Sequence, residues 1–385
     1  MPVRATKRGE QRTPLERDCD VLICGASFAG LATARELAGS GAKVLVIDRY
    51  EIGERQTSAC AMPTVWMQAL DLMGSWRQSF DAMVVHTPYH TGRWSLPWSF
   101  STFDYRELCA LLWEQADCAE IEFETATVTA REGHTVLTDR GELCAPLIVD
   151  ALGWRRVLSN ASTIQPPDAR LSRGLEVHPA GAGEEMELWI DHRYIRAGYG
   201  WSFPAREELR VGIGSFWPSH HVKEPTVRLA ADLDLPPDGY QGNWIPHQLR
   251  RAVEDGVFFV GDSAGHCLPL TAEGIRTALY FGLACGRELR AVVDERATRE
   301  QALARYGSFS DSHERKYRWM LNVQRGIGQM TPSRAVTAIV RAFESRRLCH
   351  WVFGHYLEIA PPTFVGSAPS PRASIAGTPT AAGAV

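Results

Sequence analysis

Residues Asp20 to Asp48 constrain this chain more than any other stretch, because they read as strand, tight turn, helix and strand in unbroken succession. Val21, Leu22, Ile23 and Cys24 form a short apolar run suited to a parallel strand buried on both faces. Gly25-Ala26-Ser27-Phe28-Ala29-Gly30 follows, the G-x-G-x-x-G fingerprint with Ser27 at the second glycine. Gly25 permits the sharp turn and Gly30 lets the helix approach the sheet, while the free N–H groups of the helix start point at a pyrophosphate. Ala34, Leu37 and Ala38 make the inward helix face, Gly39 and Gly41 end it, and Val44 to Ile47 form the second strand. Asp48 closes that strand 23 residues after Gly25. An acid there binds a ribose 2′-hydroxyl and disfavours a 2′-phosphate, so NAD or FAD is expected rather than NADP. Gly25, Ser27, Phe28, Ala29, Gly30, Asp48 and the adjacent Arg49 are therefore candidate cofactor contacts. The bland alternative is an ordinary βαβ unit whose glycines only pack.

A second stretch, Gly256 to Ile275, decides between the two cofactors. An apolar strand, Val257 to Val260, ends at Gly261-Asp262, which places a carboxylate where a ribityl hydroxyl would lie. FAD has that chain and NAD lacks it. After Pro269, Gly274 and Ile275 a helix runs through Ala278, Gly282 and Gly286, whose spacing of four puts small residues on one face for close packing on the sheet. Its N-terminus would stabilise negative charge at the flavin pyrimidine edge. Leu147 to Gly153 reads as a third parallel strand meeting the same cofactor. Arg106, in the first turn of a helix starting near Asp104, is a candidate for the pyrophosphate or ribityl chain, and Val128 for backbone contact with adenine. Arg155 and Arg156 read as solvated.

Between these halves the pattern changes to period two. RGLEVHPA, EMELWIDHRYI, AGYGWSFPA and ELRVGIGSF alternate as strands of an antiparallel sheet. Trp189, Tyr199, Trp201 and Phe203 are its candidates for the wall of an apolar substrate pocket, against the alternative that they are core. The expected fold is α/β: a discontinuous Rossmann-type FAD domain over 18–165 and 245–300, an antiparallel β substrate domain over 166–244 with part of 52–104, and C-terminal helices over 301–365. Residues 1–17 read as a disordered leader and 366–385 as a disordered tail. A net charge of −4 gives no reason to expect nucleic acid. Nine cysteines without metal spacing suit reduced thiols, no metal and a cytoplasmic protein. No apolar run is long enough for a transmembrane helix. The composition of 301–360 suits either a dimer face or a peripheral membrane contact, and the oligomeric state stays open.

GASFAG, the Asp48 strand, DALG and GDSAGHCLPLTAEGI together resemble the flavoproteins related to p-hydroxybenzoate hydroxylase, over roughly residues 18–300. Within them, Tyr199-Gly200-Trp201-Ser202-Phe203-Pro204 resembles the YxWxFP motif of geranylgeranyl reductases, which saturate prenyl double bonds with reduced FAD. The resemblance implies FAD as cofactor and an apolar isoprenoid or polyketide-like substrate. It also implies that a cysteine in the loop after the second strand faces the isoalloxazine, a place comparable to that of Cys60. A nicotinamide donor, NAD(P)H, is the default reductant, and no second dinucleotide fingerprint is present. Cys60, a backbone-held water and Tyr199 all stay open as proton donor. Other readings share the cofactor motifs: an FAD-dependent monooxygenase using oxygen, a flavin-dependent halogenase, a lycopene-cyclase-like isomerase, and a prenyl-binding protein without catalysis. A halogenase needs a lysine between flavin and substrate, and Lys7, Lys43, Lys223 and Lys316 are the only lysines.

Overall fold

The computed structural model describes residues 13–56, 58–160, 169–329 and 334–367. Strand β1 (Val21–Cys24), helix α1 (Phe28–Leu37) and β2 (Val44–Asp48) form the expected βαβ unit. Beyond them lie β3 (Ala61–Pro63), α2 (Thr64–Ala69) and a long hairpin of β4 (Trp76–Thr87) and β5 (His90–Phe103). Helix α3 (Tyr105–Ala116) starts at Asp104, whose carboxylate accepts the Glu107 N–H at 3.0 Å and so caps the first turn. Strand β6 (Ile121–Thr125) precedes a meander of β7 (Val128–Glu132), β8 (Thr135–Thr138) and β9 (Gly141–Cys144), and then comes β10 (Leu147–Asp150).

The middle of the chain supplies β11 (Leu171–Val177), β12 (Met186–Trp189), β13 (Gly198–Pro204), β14 (Leu209–Ser215), α4 (Lys223–Asp232) and β15 (Gln241–Pro246). The chain then returns through β16 (Val253–Glu254) and β17 (Val257–Phe259) to the long α5 (Ile275–Val293). Among the described residues four α-helices follow, α6 (Arg299–Asp311), α7 (Glu314–Gln329), α8 (Arg334–Ala342) and α9 (Arg346–Leu357), and then a 3-10 turn, Pro362–Ser367. Among the described residues no helix is long and apolar enough to cross a membrane.

Among the described residues the strands form three sheets, the small β7-β8-β9 meander and two larger ones that organise the other elements. The first has the order β16-β17-β10-β1-β2-β6 and is parallel from β17 to β6, with β16 antiparallel at its edge. Its inner strands β1, β2, β10 and β17 are nearly all apolar because both faces are covered: α1 packs on them, and Val136 and Leu143 of the β7–β9 meander belong to the same core. Helix α5 lies against α1 at contact distance: a Cβ on Gly282 would sit 2.6 Å from the Ala29 carbonyl oxygen, and one on Gly286 2.7 Å from that of Thr33. The Thr33 hydroxyl donates to the Gly282 carbonyl at 3.1 Å and closes the pair.

The second sheet has the order β15-β11-β14-β13-β12-β4-β5-β3. It is larger than the region of alternation suggests, because β4 and β5 complete it. Nor is it wholly antiparallel, since β12 runs parallel to β4. Helix α4 packs on its back through Leu229 and Ala230, with Val222 just before it. Helices α8 and α9 close on β5, where Trp94 and Trp98 donate their indole N–H groups to the Val340 and Phe353 carbonyls at 3.0 and 3.2 Å.

Three expectations need correction or restriction. Leu15 is buried in the main core and its N–H donates to the Arg140 carbonyl at 2.7 Å, so residues 13–17 are docked rather than a free leader. Residues 1–12 and 368–385, the rest of the expected leader and most of the tail, lie outside the described residues. Arg156 is buried, not solvated: it stacks 3.5 Å over the Phe259 ring and pairs with Glu254 at 2.9 Å.

Candidate active site

A cavity of about 1630 Å³ runs from the first turn of α1, past Cys60, along one face of the second sheet, to α7, α8 and α9. That is larger than the roughly 300–1,000 Å³ of an ordinary ligand pocket and leaves room for a dinucleotide and a second ligand end to end.

At the nucleotide end, Gly25 adopts φ +115°, and a Cβ there would stand 2.3 Å from the Ala151 carbonyl oxygen. A Cβ on Gly30 would stand 1.8 Å from the carbonyl oxygen of Gly25 itself. These two glycines therefore shape the turn, and Ala26, Ser27, Phe28 and Ala29 present themselves to the cavity. The Ser27 hydroxyl, at the position of the second glycine, is 3.1 Å from that of Tyr105. Asp48 lines the cavity and accepts N–H groups of Ala26 at 2.9 Å and Tyr50 at 3.1 Å. Burial raises its carboxyl, and those donors pull it back. Arg49 and Val128 line the same end. Arg106 is exposed, packs its backbone under Gly53 and is not among the lining residues.

Midway, Gly261, Asp262, Gly274 and Ile275 line the cavity at the start of α5. Gly261 needs φ +60°, and a Cβ there would lie 2.9 Å from that of Ala29. Pro269 is buried behind this wall, its carbonyl accepting the Gln324 amide. Among the described residues the Asp262 carboxylate accepts no hydrogen bond. Burial raises it to about 6, with the Arg250 guanidinium pulling the other way. A half-buried acceptor without a donor, facing a cavity with a dinucleotide turn on its other side, is what a ribityl chain would satisfy, so the residues fit FAD. The sign of the pH effect follows. FAD would bind the ionised carboxylate, so affinity should be flat above pH 7 and fall as pH drops through 6. The expected loss is about tenfold from pH 8 to pH 5. Titrating apoprotein with FAD at both pH values checks this: a flat profile in the natural protein, or the same slope in Asp262→Asn, refutes the assignment.

Cys60 faces the cavity from the loop before β3 in a left-handed backbone conformation, φ 52°. A non-glycine residue held there is strained by the order of 1–3 kcal/mol and persists only where its surroundings enforce it. The Phe103 N–H donates to the Cys60 carbonyl at 3.0 Å, and the Arg210 guanidinium donates to the carbonyls of Ala59 at 2.8 Å, Cys60 at 3.3 Å and Phe103 at 3.0 Å. The Cys60 thiol donates to the Ser58 carbonyl at 3.1 Å, and burial pushes it well up, Arg210 only partly offsetting this. The group is a thiol, not a thiolate.

Tyr199, Trp201 and Phe203 alternate along β13 and all line the cavity. The Tyr199 hydroxyl donates to the Thr271 carbonyl at 2.5 Å, and burial raises it. Trp189 does not join this wall. The register pairs it with Gly200, one residue off Trp201, so it points to the α4 face and stacks on His86 at 4.8 Å. A one-residue offset reverses the face of a strand side chain. Leu188, paired with Trp201, takes the cavity position instead.

Several lining residues come from segments that the sequence motifs do not mark. Met83, Trp94 and Phe100 on β4 and β5 extend the apolar wall, and Trp319, Ile339 and Trp351 line its far end. Glu273, between the cofactor end and this wall, forms a two-pronged pair with the buried Arg276 at 2.7 and 2.8 Å and accepts the Tyr356 hydroxyl. That ties the Thr271–Glu273 turn to α9. Glu176 and Gln241 line the cavity beside Trp201. The sign of Glu176 in the sequence is its place two residues before His178 in RGLEVHPA, and Gln241 carries none.

Residues 20–79 match the family described as DAO, FAD dependent oxidoreductase. The chain is an FAD-dependent oxidoreductase resembling the geranylgeranyl reductases. The enzyme is 25% identical to digeranylgeranylglycerophospholipid reductase 3 of Methanosphaera stadtmanae over 77% of its own chain and 83% of that protein. Its fold matches a geranylgeranyl bacteriochlorophyll reductase-like protein from Thermoplasma acidophilum with a TM-score of 0.75 at 16% identity, covering 91% of this chain and 98% of that one. It also matches p-nitrophenol 4-monooxygenase PnpA from Pseudomonas putida, with a TM-score of 0.67 at 13% identity over 90% and 99% of the two chains.

Proposed function

We propose that the enzyme saturates carbon–carbon double bonds of an isoprenoid chain, with a nicotinamide cofactor as transient donor. The observation that carries this reading is the continuity of the cavity. It passes without a break from the dinucleotide turn, past Cys60, into an apolar trough walled by Trp201, Phe203, Leu188, Trp94 and Phe100. Reduced FAD supplies hydride equivalents when bound. The protein's own part is to hold an extended hydrocarbon along the β13 wall and keep water away from it. The reductase names of the sequence relatives support this substrate class.

The far mouth favours a lipid arriving from an anionic membrane face. Trp319 and Trp351 are 64% and 63% exposed and also line the cavity, beside Arg315 and Lys316. Between Glu314 and Glu358 eight arginines and lysines stand against three acids, in a chain whose net charge is −4. Lysine chemistry of the halogenase kind gains little support, because the Lys316 ammonium donates to the Glu358 carbonyl at 3.1 Å.

The test is anaerobic incubation of dithionite-reduced holoenzyme with a geranylgeranyl-bearing glycerolipid in anionic vesicles. The expected product gains two hydrogens per reduced double bond. A product that gains one oxygen, formed only in air with NAD(P)H, would establish the monooxygenase instead. An unchanged lipid with no flavin reoxidation would remove the substrate class.

A further inference from the structure

Saturating a double bond needs a proton as well as a hydride, and the protein must supply the proton inside an apolar trough. Both protein groups open as donors from the sequence are already committed. The Cys60 thiol hydrogen lies on the Ser58 carbonyl and the Tyr199 hydroxyl hydrogen on the Thr271 carbonyl.

The second sheet carries another candidate. Its register sets Gln241, Glu176, Gly212 and Trp201 in one row across β15, β11, β14 and β13. A Cβ on Gly212 would stand 2.3 Å from the Trp201 ring, so the missing side chain there lets the indole lie across β14. Its N–H thereby reaches the Glu176 carboxylate at 3.1 Å. Glu176 is buried, lines the cavity and is near enough for its charge to act on the Cys60 thiol. Its other oxygen meets His178 Nε2 at 3.0 Å and accepts the Gln241 amide at 3.0 Å. His178 Nδ1 meets Glu208 Oε1 at 3.0 Å, and the same oxygen accepts Arg210 Nε at 3.0 Å. The His178 side chain is wholly inaccessible, that of Glu176 4% exposed and that of Glu208 21%. One unbroken chain of hydrogen bonds thus runs from the solvent side at Glu208, through both nitrogens of a buried imidazole, to a carboxylate on the cavity wall.

We propose that Glu176 delivers the proton to the substrate and that the His178 imidazolium, held charged by Glu208, is its source. This rests on the reading of the enzyme as a double-bond reductase. With the imidazolium between the Glu176 and Glu208 carboxylates, each ring nitrogen carries one proton. As hydride reaches one alkene carbon, the Nε2 proton passes to Glu176 and from it to the other carbon, which binds it with the π pair. His178 is left neutral with its Nδ1 proton still on Glu208, and Nε2 regains a proton, again by way of Glu176, from water that enters the cavity once product has left. The sum is one hydride and one proton added, with Glu176, His178 and Glu208 back in their starting states.

The charges suit this. Burial alone would lower His178, but the Glu176 and Glu208 carboxylates outweigh it and hold the imidazole above its ordinary range. Glu208 is held down at about 2 by His178 and Arg210 against the effect of burial. The groups facing the imidazole are Glu176 on its own strand, Glu208 and Arg210 at the start of β14, and Gln241 on β15. The backbone N–H of His178 is held by the Asp238 carbonyl at 2.7 Å.

Two measurements on folded holoenzyme decide the matter. The first is a nitrogen-15 titration of the imidazoles, with His178 assigned by its loss in His178→Gln. In the natural protein His178 should stay protonated above the ordinary histidine range, and in Glu208→Gln it should titrate at lower pH. A neutral His178 at pH 6, or the same titration in both proteins, overturns the relay. The second is single-turnover reoxidation of reduced enzyme by the geranylgeranyl lipid. Glu176→Gln should slow it about a hundredfold or more, with bound flavin and its reduction by the donor unchanged. In Glu208→Gln the fall of this rate at high pH should move to lower pH with the imidazole. Reoxidation of Glu176→Gln within twofold of the natural protein overturns Glu176 as donor. Failure of the natural protein to saturate the lipid would sink the substrate reading, and the titration, which needs no substrate, would still rule on the relay.

Discussion

Gly30→Val should abolish flavin binding and destabilise the dinucleotide half by about 3 kcal/mol or more. The expected size follows from what the side chain meets. Even the first carbon would stand 1.8 Å from the carbonyl oxygen of Gly25, and that residue is fixed by its own positive φ and by an N–H bond of 2.7 Å to the Ile47 carbonyl. A flexible side chain could swing aside, but a backbone carbonyl between two strands cannot. The turn must open, which moves Ala26 to Ala29 out of the cavity wall and pushes α1 away from Gly282 of α5. Denaturant midpoint and flavin content after purification check the two halves of the claim. A mutant with natural midpoint and full flavin would show that the turn is not held as described.

Arg210→Met should cost about 3–5 kcal/mol, because it removes one member of a buried charged network and strands the others. The guanidinium holds three backbone carbonyls and one Glu208 oxygen, and its side chain is 3% exposed. The Ala59 carbonyl would lose its donor, the Cys60 carbonyl would keep only the Phe103 N–H at 3.0 Å, and the strained backbone at Cys60 would lose its charged hold. Cys60, fully buried in the natural protein, should then become open to alkylation. Peptide mapping after brief treatment with a maleimide reads this directly. Labelling of Cys60 at the natural rate, with an unshifted denaturation midpoint, would mean that the loop is held by something else.

The parts of the site legible in the sequence share one property: each is written in neighbouring residues. Gly25 to Gly30 specifies its turn through local sterics. Ala278, Gly282 and Gly286 declare a close-packed helix face by their spacing, and Tyr199, Trp201 and Phe203 declare a shared face by period two. Asp262 at the end of an apolar strand belongs to the same class. From these alone come the cofactor, the fold class and one wall of the trough.

Tertiary structure decided the rest, because it depends on register and on which distant segments meet. Trp189 looks like a wall residue in the sequence, and pairing with Gly200 rather than Trp201 turns it to the opposite face. No local pattern carries that offset. Arg156 looks solvated until β17 brings the Phe259 ring beneath it. Glu176 and Arg210 come from different strands and Cys60 from a loop roughly 115 residues earlier, and only the order β15-β11-β14-β13 joins them into one network. A sequence states which side chains can share a face along one element. Whether the distant Glu208 reaches the imidazole of His178, or a strained loop finds a guanidinium from another strand, is settled only when the sheet is assembled.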